Sequence, residues 1–297
     1  MISQVAAVLL PVFCIAGIGY LWRLLGAPFD LAFVTRLIMN LAGPCLVFDS
    51  LANLTLPPQQ FVAMVGASIA LLAVTAVLAF GLLKALKLPL PSYLPALTIG
   101  NTGNLGLPLC LFAFGEAGLG LAIAVYVTNS VAQFTLVPLL QTRQPLGKTL
   151  LTTPVIYGAA AGALALALGV ALPKWLDNTA QLLGGLMIPL MLLALGYTIG
   201  GLRTHNLPRA FGLGAARLVI AFAAALGVGK VLALSGVAQG VLLLQGTMPA
   251  AVFTYLFAAR YERDADDVAG IVLISTLLAA LLLPLLVSYA LVLAGSP

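Results

Sequence analysis

Apolar runs recur along this chain at nearly even spacing, each ended by a short joint of Pro, Gly or a single charge. A bilayer core needs about 20 consecutive apolar residues for a helix to cross it. Windows of that kind can be placed ten times, at 3–24, 30–52, 60–86, 92–115, 119–140, 153–171, 176–201, 208–234, 238–259 and 266–293. The pattern predicts an all-α polytopic membrane protein with ten transmembrane helices. Trp22 and Trp175 fall at helix ends, as aromatic belt residues do.

Two of the ten spans are interrupted. Helix four carries Gly100-Asn101-Thr102-Gly103-Asn104-Leu105-Gly106-Leu107-Pro108, and helix nine carries Gln245-Gly246-Thr247-Met248-Pro249-Ala250. In hydrocarbon each freed backbone group costs several kcal/mol unless protein or trapped water satisfies it. Interrupted helices at matching places in two halves point to the substrate site of a transporter. The halves do match. Pro44 pairs with Pro189 at an offset of 145, and Gly100 with Gly246, Pro138 with Pro284 and Glu116 with Glu262 at 146. Five spans per half is an odd number, so the second copy inserts upside down. The expectation is a 5+5 inverted repeat, residues 1–142 and 148–297, with broken, crossing helices four and nine.

Charge sets the orientation. Arg23, Arg36, Lys84, Lys87, Arg143, Lys148, Arg203, Arg209, Arg260 and Arg263 all fall on one side if the spans alternate, and Lys174 and Lys230 on the other. Positive residues stay inside, so both termini are expected outside. The N-terminus has no basic n-region and no A-x-A site follows the first run, so that run reads as a retained helix.

Composition narrows the class further. Hydrophobic residues make up 62% of the 297 and charged ones 7%, where a soluble domain has about 25% charged. No soluble domain fits, and the net charge of +5 is scattered singly rather than gathered into a nucleic-acid patch. Cys14, Cys45 and Cys110 lie in apolar spans without metal or redox spacing and read as small buried hydrophobes.

The candidate chemistry gathers at the breaks. Thr247 is placed to cap the second half of helix nine, with Pro249 in its first turn, and Asn101 or Asn104 to cap the second half of helix four. Uncommitted N–H groups and the dipole at such ends favour an anion, so a carboxylate can be held there without a lysine. The plainer reading is that these residues, with Thr102, only patch broken backbone. On helix five, Tyr126, Thr128, Asn129 and Gln133 follow one another, and Asn129 and Gln133 share a face. They either line the cavity or bond neighbouring helices. Asn40, Gln245 and Tyr197 are weaker candidates. Arg217, within helix eight, is the one intramembrane cation singled out as functional, and no span carries a central acid. Asp264, Asp266 and Asp267 form a DxDD group at the start of helix ten, where acids complement the dipole. His205 reads as a solvated loop residue. Gly158/Gly162 and Gly196/Gly200 are small-xxx-small pairs suited to close helix packing.

At Gly100 to Pro108, Met248-Pro249-Ala250-Ala251 through Ala258-Ala259-Arg260-Tyr261, and Ser275-Thr276-Leu277-Leu278 to Leu283-Pro284, the chain resembles the auxin efflux carrier family. That family includes bacterial members described as malonate or malate permeases. The resemblance implies a fold related to bile-acid/sodium symporters. It implies a scaffold of helices one, two, six and seven and a transport domain of helices three to five and eight to ten. It also implies elevator-like movement and a homodimer through the scaffold. Plant carriers have Asn-Pro-Asn-Thr at the break; here Gly100 stands in the proline position while Asn101 and Thr102 match, and the long loop of many plant members is absent.

The expected function is therefore a secondary transporter of a small organic anion, a mono- or dicarboxylate, in a bacterial inner membrane. Its expected substrate-binding residues are Asn101, Thr102, Asn104, Thr247, Pro249, Asn129, Gln133 and Tyr126. The expected partners are the anion, the bilayer and a second copy, with no nucleic acid, and no enzymatic activity, cofactor or metal is expected. Two alternatives remain at this point. One is a sodium-coupled symporter of the bile-acid type, with Asn101, Asn104, Asn129, Gln133 and Thr247 offering neutral oxygens to sodium. The other is a membrane-embedded magnesium-dependent transferase built on the DxDD group, although magnesium held between phosphates wants carboxylates from more than one cluster.

Overall fold

A computed structural model describes residues 2–53, 57–142, 154–168, 172–201 and 206–295. Arg143, Lys148, Arg203 and His205 lie outside the described residues. The helices in chain order are α1 (Ile2–Leu24), α2 (Leu31–Leu37), α3 (Gly43–Ala52), α4 (Pro58–Ala85), α5 (Leu90–Thr98), α6 (Leu107–Thr142), α7 (Pro154–Leu168), α8 (Lys174–Gly185), α9 (Met187–Ile199), α10 (Leu207–Val231), α11 (Gly236–Gly246), α12 (Val252–Arg260) and α13 (Ala265–Leu293). No strand occurs among the described residues.

Local chemistry sets the ends. The Asp30 carboxylate accepts the Phe33 N–H at 2.9 Å at the start of α2, and Asn206 Oδ1 accepts the Arg209 N–H at 3.1 Å at the start of α10. Two π-turns, Ile38–Ala42 and Thr102–Gly106, each end two residues before a proline, Pro44 and Pro108. A proline inside a helix lacks an N–H and its ring presses on the carbonyl four residues back. One widened turn before the ring relieves that clash, which accounts for the same distortion at both places.

Among the described residues seven helical runs are long and apolar enough to cross a membrane: Val5–Leu24, Leu31–Ala52, Gln59–Ala85, Thr102–Gln133, Lys174–Ile199, Leu207–Val231 and Ala265–Leu293. The expectation of ten is met in part. Spans four and five meet inside the run labelled α6, where Gly115, at φ 66° and ψ −158°, is non-helical and kinks the chain between two helices, 107–114 and 116–142, a conformation open to glycine. The sixth is described only over Pro154–Leu168, and the ninth is split into α11 and α12.

The helices pack in two sets. In one, α1 lies against α9, and α3 against α7 and α8. Glycines set these distances: a Cβ at Gly158 would stand 2.8 Å from the Pro44 Cα, one at Gly162 2.8 Å from the Phe48 carbonyl, and one at Gly184 2.8 Å from the Leu46 Cα. Gly196 likewise admits the backbone of Ala16. In the other set, α10 packs on α13 and α4, and α6 on α4 and α11. Large side chains such as Tyr93, Met64, Leu83, Leu97, Leu121 and Leu242 are wholly buried there. Leucines and valines such as Val62, Val77, Leu182, Val231 and Leu281 point outward, as a surface facing lipid requires. Cys14 corrects one expectation: it is exposed on α1, while Cys45 is half-buried and Cys110 buried.

The DxDD group ties helix starts together. Asp264 Oδ2 accepts from the Ser92 hydroxyl at 2.6 Å, and Asp267 Oδ2 from the Tyr93 hydroxyl at 2.7 Å and the Arg209 guanidinium at 2.5 Å. These bonds join α5, α10 and α13. Asp264 occupies the N-cap position of α13 but makes no side-chain cap bond there.

Candidate functional site

The two interruptions meet. Gly100 and Ala250 form an isolated antiparallel bridge. The Asn101 N–H donates to the Pro249 carbonyl at 2.8 Å, and the Ala251 N–H to the Ile99 carbonyl at 3.0 Å. Each break thus supplies partners for the other, which answers the demand that hydrocarbon makes of freed backbone.

Polar side chains complete the pairing. Asn129 Nδ2, from α6, donates to the Gly100 carbonyl at 2.8 Å and to Thr102 Oγ1 at 3.0 Å. The Ala250 N–H donates to Ser275 Oγ, from α13, at 3.1 Å. Asn129 therefore bonds the neighbouring break, and it also lines a small cavity beside Arg217.

Arg217 holds the crossing from beneath. It rises from the middle of α10 and is 2% exposed. Its Nη1 donates to the carbonyls of Leu97 at 2.9 Å and Thr98 at 3.1 Å, at the C-terminal end of α5. Its Nη2 donates to Met248 at 3.0 Å and, more distantly, to Gly246 at 3.4 Å, at the C-terminal end of α11. The last carbonyls of a helix have no partner within it and carry the negative end of its dipole. A guanidinium suits two such ends facing each other. Desolvating an ion costs several kcal/mol. Hydrogen bonds from a charged donor return about 1.5–3 kcal/mol each, so four carbonyls are on the scale of that cost. Gly100 makes the room, since a Cβ there would lie 2.6 Å from Nη2.

Beside the guanidinium is a cavity of about 20 Å³ lined by Ser68 and Thr75 of α4, Thr98, Gly100, Thr102, Thr128, Asn129, Arg217 and Gln245. That volume holds about one water. Four side chains near the crossing keep uncommitted polar atoms: Thr98 Oγ1, Asn101 Nδ2, Arg217 Nε and both carboxamide atoms of Gln245. The Gln245 carboxamide has the Cys110 thiol as a neighbour but makes no hydrogen bond of ordinary geometry.

The capping arrangement expected at the breaks is not the one observed. Thr247 is the C-cap of α11, and its hydroxyl bonds back to the Leu243 carbonyl at 2.7 Å. Pro249 lies within the break, ahead of α12, which begins at Val252 and has no side-chain cap bond. Asn101 does take the N-cap position of the π-turn, without a side-chain cap bond, and Asn104 lies inside that turn. In helix nine the reason is the crossing itself: the pairing of Gly100 with Ala250 carries the chain past Thr247 and Pro249, so the N-cap falls at Ala251, four residues beyond Thr247. Neither start receives a cap bond from the side chain of its own N-cap residue, Asn101 or Ala251.

Of the expected binding residues, Thr102 and Asn129 line the small cavity. Asn101 is 5% exposed next to it. Tyr126 packs on the backbone of Gly103 and bonds Ser130, and Gln133 is buried one turn beyond Asn129. Asn104 faces elsewhere, into a cleft of about 40 Å³ with Thr35, Met39, Met191, Thr198 and Phe253. Ser68 and Thr75 were not anticipated. Their signal was present as two hydroxyls seven apart, on one face of an otherwise apolar helix.

The sequence matches the family described as "Membrane transport protein" over residues 4–149 and 139–287. An uncharacterized transporter of Methanothermobacter thermautotrophicus is 28% identical over 283 residues, covering 90% of this chain and 92% of that protein. Another, from Methanocaldococcus jannaschii, is 24% identical over 204 residues, covering 63% of this chain and 64% of its own length. Apolar helices joined at a bonded double break, and a family match running almost end to end, agree: this multi-pass membrane protein belongs to the membrane transport protein family that includes the auxin efflux carriers.

Proposed function

We propose that the chain is a secondary carrier of a small organic anion, a mono- or dicarboxylate, rather than an enzyme. The observation that carries this reading is the crossing of two interrupted helices over a buried guanidinium, with helix starts beyond it whose N-cap side chains make no cap bond. Such starts offer N–H groups and a positive dipole end to a carboxylate, and Asn101 Nδ2 is an uncommitted donor beside them. The substrate-binding set is Asn101, Thr102, Asn129, Gln133, Tyr126, Thr247 and Pro249 at the crossing, with Asn104 on the other side of the same turn, toward the cleft it lines. Asn101 bonds the anion directly. Thr102, Asn129 and Thr247 hold the breaks in shape.

In this reading the chain crosses the membrane ten times as a 5+5 inverted repeat, residues 1–142 and 148–297, with both termini on the outer side of a bacterial inner membrane. The set containing α1–α3 and α7–α9 is the scaffold and joins two copies into a homodimer. The set built around α4–α6 and α10–α13 is the transport domain and moves against it as an elevator. The closest helix pairs lie within each set, which supports that division, and α1 and α3 meet α6 across the boundary.

Uptake of labelled malonate, malate and an aromatic carboxylate into proteoliposomes tests the proposal. Saturable uptake of at least one is expected. If none moves and none raises the melting temperature of the purified protein, the reading fails.

A further inference from the structure

The cation at the crossing is an arginine whose two terminal nitrogens each serve one helix end. The carbonyls of Leu97 and Thr98, from one helix end, gather on Nη1, and those of Gly246 and Met248, from the other, on Nη2 of the same guanidinium. Four neutral oxygens at the negative ends of two dipoles are also what a bound alkali ion asks for. Among the described residues Arg217 is the one buried charged side chain, and all four of its acceptors are uncharged. The crossing therefore carries one uncancelled positive charge, and the neighbouring groups that stay polar and uncommitted, Thr98, Asn101 and Gln245, are neutral.

We propose that Arg217 is a tethered counter-cation: its guanidinium permanently occupies the carbonyl cradle between the broken helices and supplies the positive charge against which an anion is held. The inference rests on the carrier reading for its anion and goes beyond it in naming what balances the charge. A soluble cation has no room in the cradle, so sodium is not needed to build the site. Gly100 is part of the same device, because any side chain there would collide with Nη2. Arg217 acts by positioning and charge. It stands on the C-terminal side of the breaks, and the anion is placed at the helix starts.

Thermal unfolding of the full-length purified protein tests the cradle without any transported substrate. The natural protein should melt at the same temperature in sodium and choline chloride. Arg217→Ala should melt lower, and low millimolar guanidinium chloride, which leaves the natural protein unchanged, should restore part of the loss. Arg217→Lys keeps the charge but not the planar fork, so it should fall between the two and gain nothing from guanidinium. Gly100→Ala should be destabilised with Arg217 present and tolerated in the Arg217→Ala background. Sodium-specific stabilisation of the natural protein would overturn the proposal. So would an Arg217→Ala protein that melts like the natural one. If Arg217→Ala does not fold, the sodium comparison on the natural protein and the melting of Arg217→Lys still decide.

Uptake of labelled malonate then addresses charge. It should run equally fast in sodium and choline media, and Arg217→Ala should need about ten-fold more malonate for half-maximal rate, with partial rescue by guanidinium. A ten-fold loss of rate in choline counts against the tethered cation. If no carboxylate is carried at all, the carrier reading fails, while the melting experiments still judge the cradle.

Discussion

Single side chains at the crossing divide into those that hold backbone and those with atoms to spare, and substitution should separate them. Asn129 donates two bonds, to the Gly100 carbonyl and to Thr102. Asn129→Ala leaves a buried carbonyl unsatisfied, a cost of about 1–3 kcal/mol, so the melting temperature should fall markedly. Asn101→Ala removes no bond made within the protein by its Nδ2. Stability should hold, while the loss of a charge-assisted bond worth about 1.5–3 kcal/mol should weaken carboxylate affinity about ten-fold to a hundred-fold. Calorimetry on both variants checks the split, and an Asn101→Ala protein with unchanged affinity moves the anion away from the crossing. The asparagines were legible in the sequence because amides are rare in apolar spans. The task of Arg217 was not. Its partners are four main-chain carbonyls, and a sequence carries no mark of which carbonyls lack a partner.

Helices make a different set of demands, because without a hydrophobic drive between them in lipid they associate through close contact. The pair Gly158 and Gly162 was expected to permit it, and α7 lies against the backbone of α3 at both residues. Gly158→Ala places a methyl 2.8 Å from the Pro44 Cα, and overpacking of that kind costs about 1–3 kcal/mol. Gly212→Ala on α10 is the matched control, with nothing within 4 Å of the new carbon. It should be neutral or stabilise by about 0.5–1 kcal/mol through helix propensity. Melting temperatures of the two variants should therefore move in opposite directions, or at least differ clearly. The breaks were legible as elements, because Gly and Pro interrupt an apolar run visibly. Their fine register was not. Thr247 and Pro249 looked placed to start a helix, but the bridge between Gly100 and Ala250 holds both segments extended past those positions. Such long-range pairing leaves no local trace.

For the whole molecule, the issue is which way each span runs. Ten basic residues on one side against Lys174 and Lys230 on the other set the proposed orientation. Ten crossings follow from the apolar windows, with spans four and five parted at the Gly115 kink and span nine split. The count can be checked without resolving any helix. Cys14, Cys45 and Cys110 are first replaced by Ala; Cys110 is wholly buried and makes the least tolerant of the three sites. Single cysteines are then introduced at Ser3 and at Gln144, and intact cells are treated with a thiol reagent that does not cross the membrane. Five crossings separate the two positions in the proposed arrangement. Ser3→Cys should label in intact cells and Gln144→Cys only after permeabilisation. If both label from the same side, the number of crossings between them is even. The halves then insert the same way up, and the inverted repeat is lost, together with the elevator built upon it. The bonded crossing at Gly100 and Ala250 would stand, because it rests on hydrogen bonds within the protein and not on orientation.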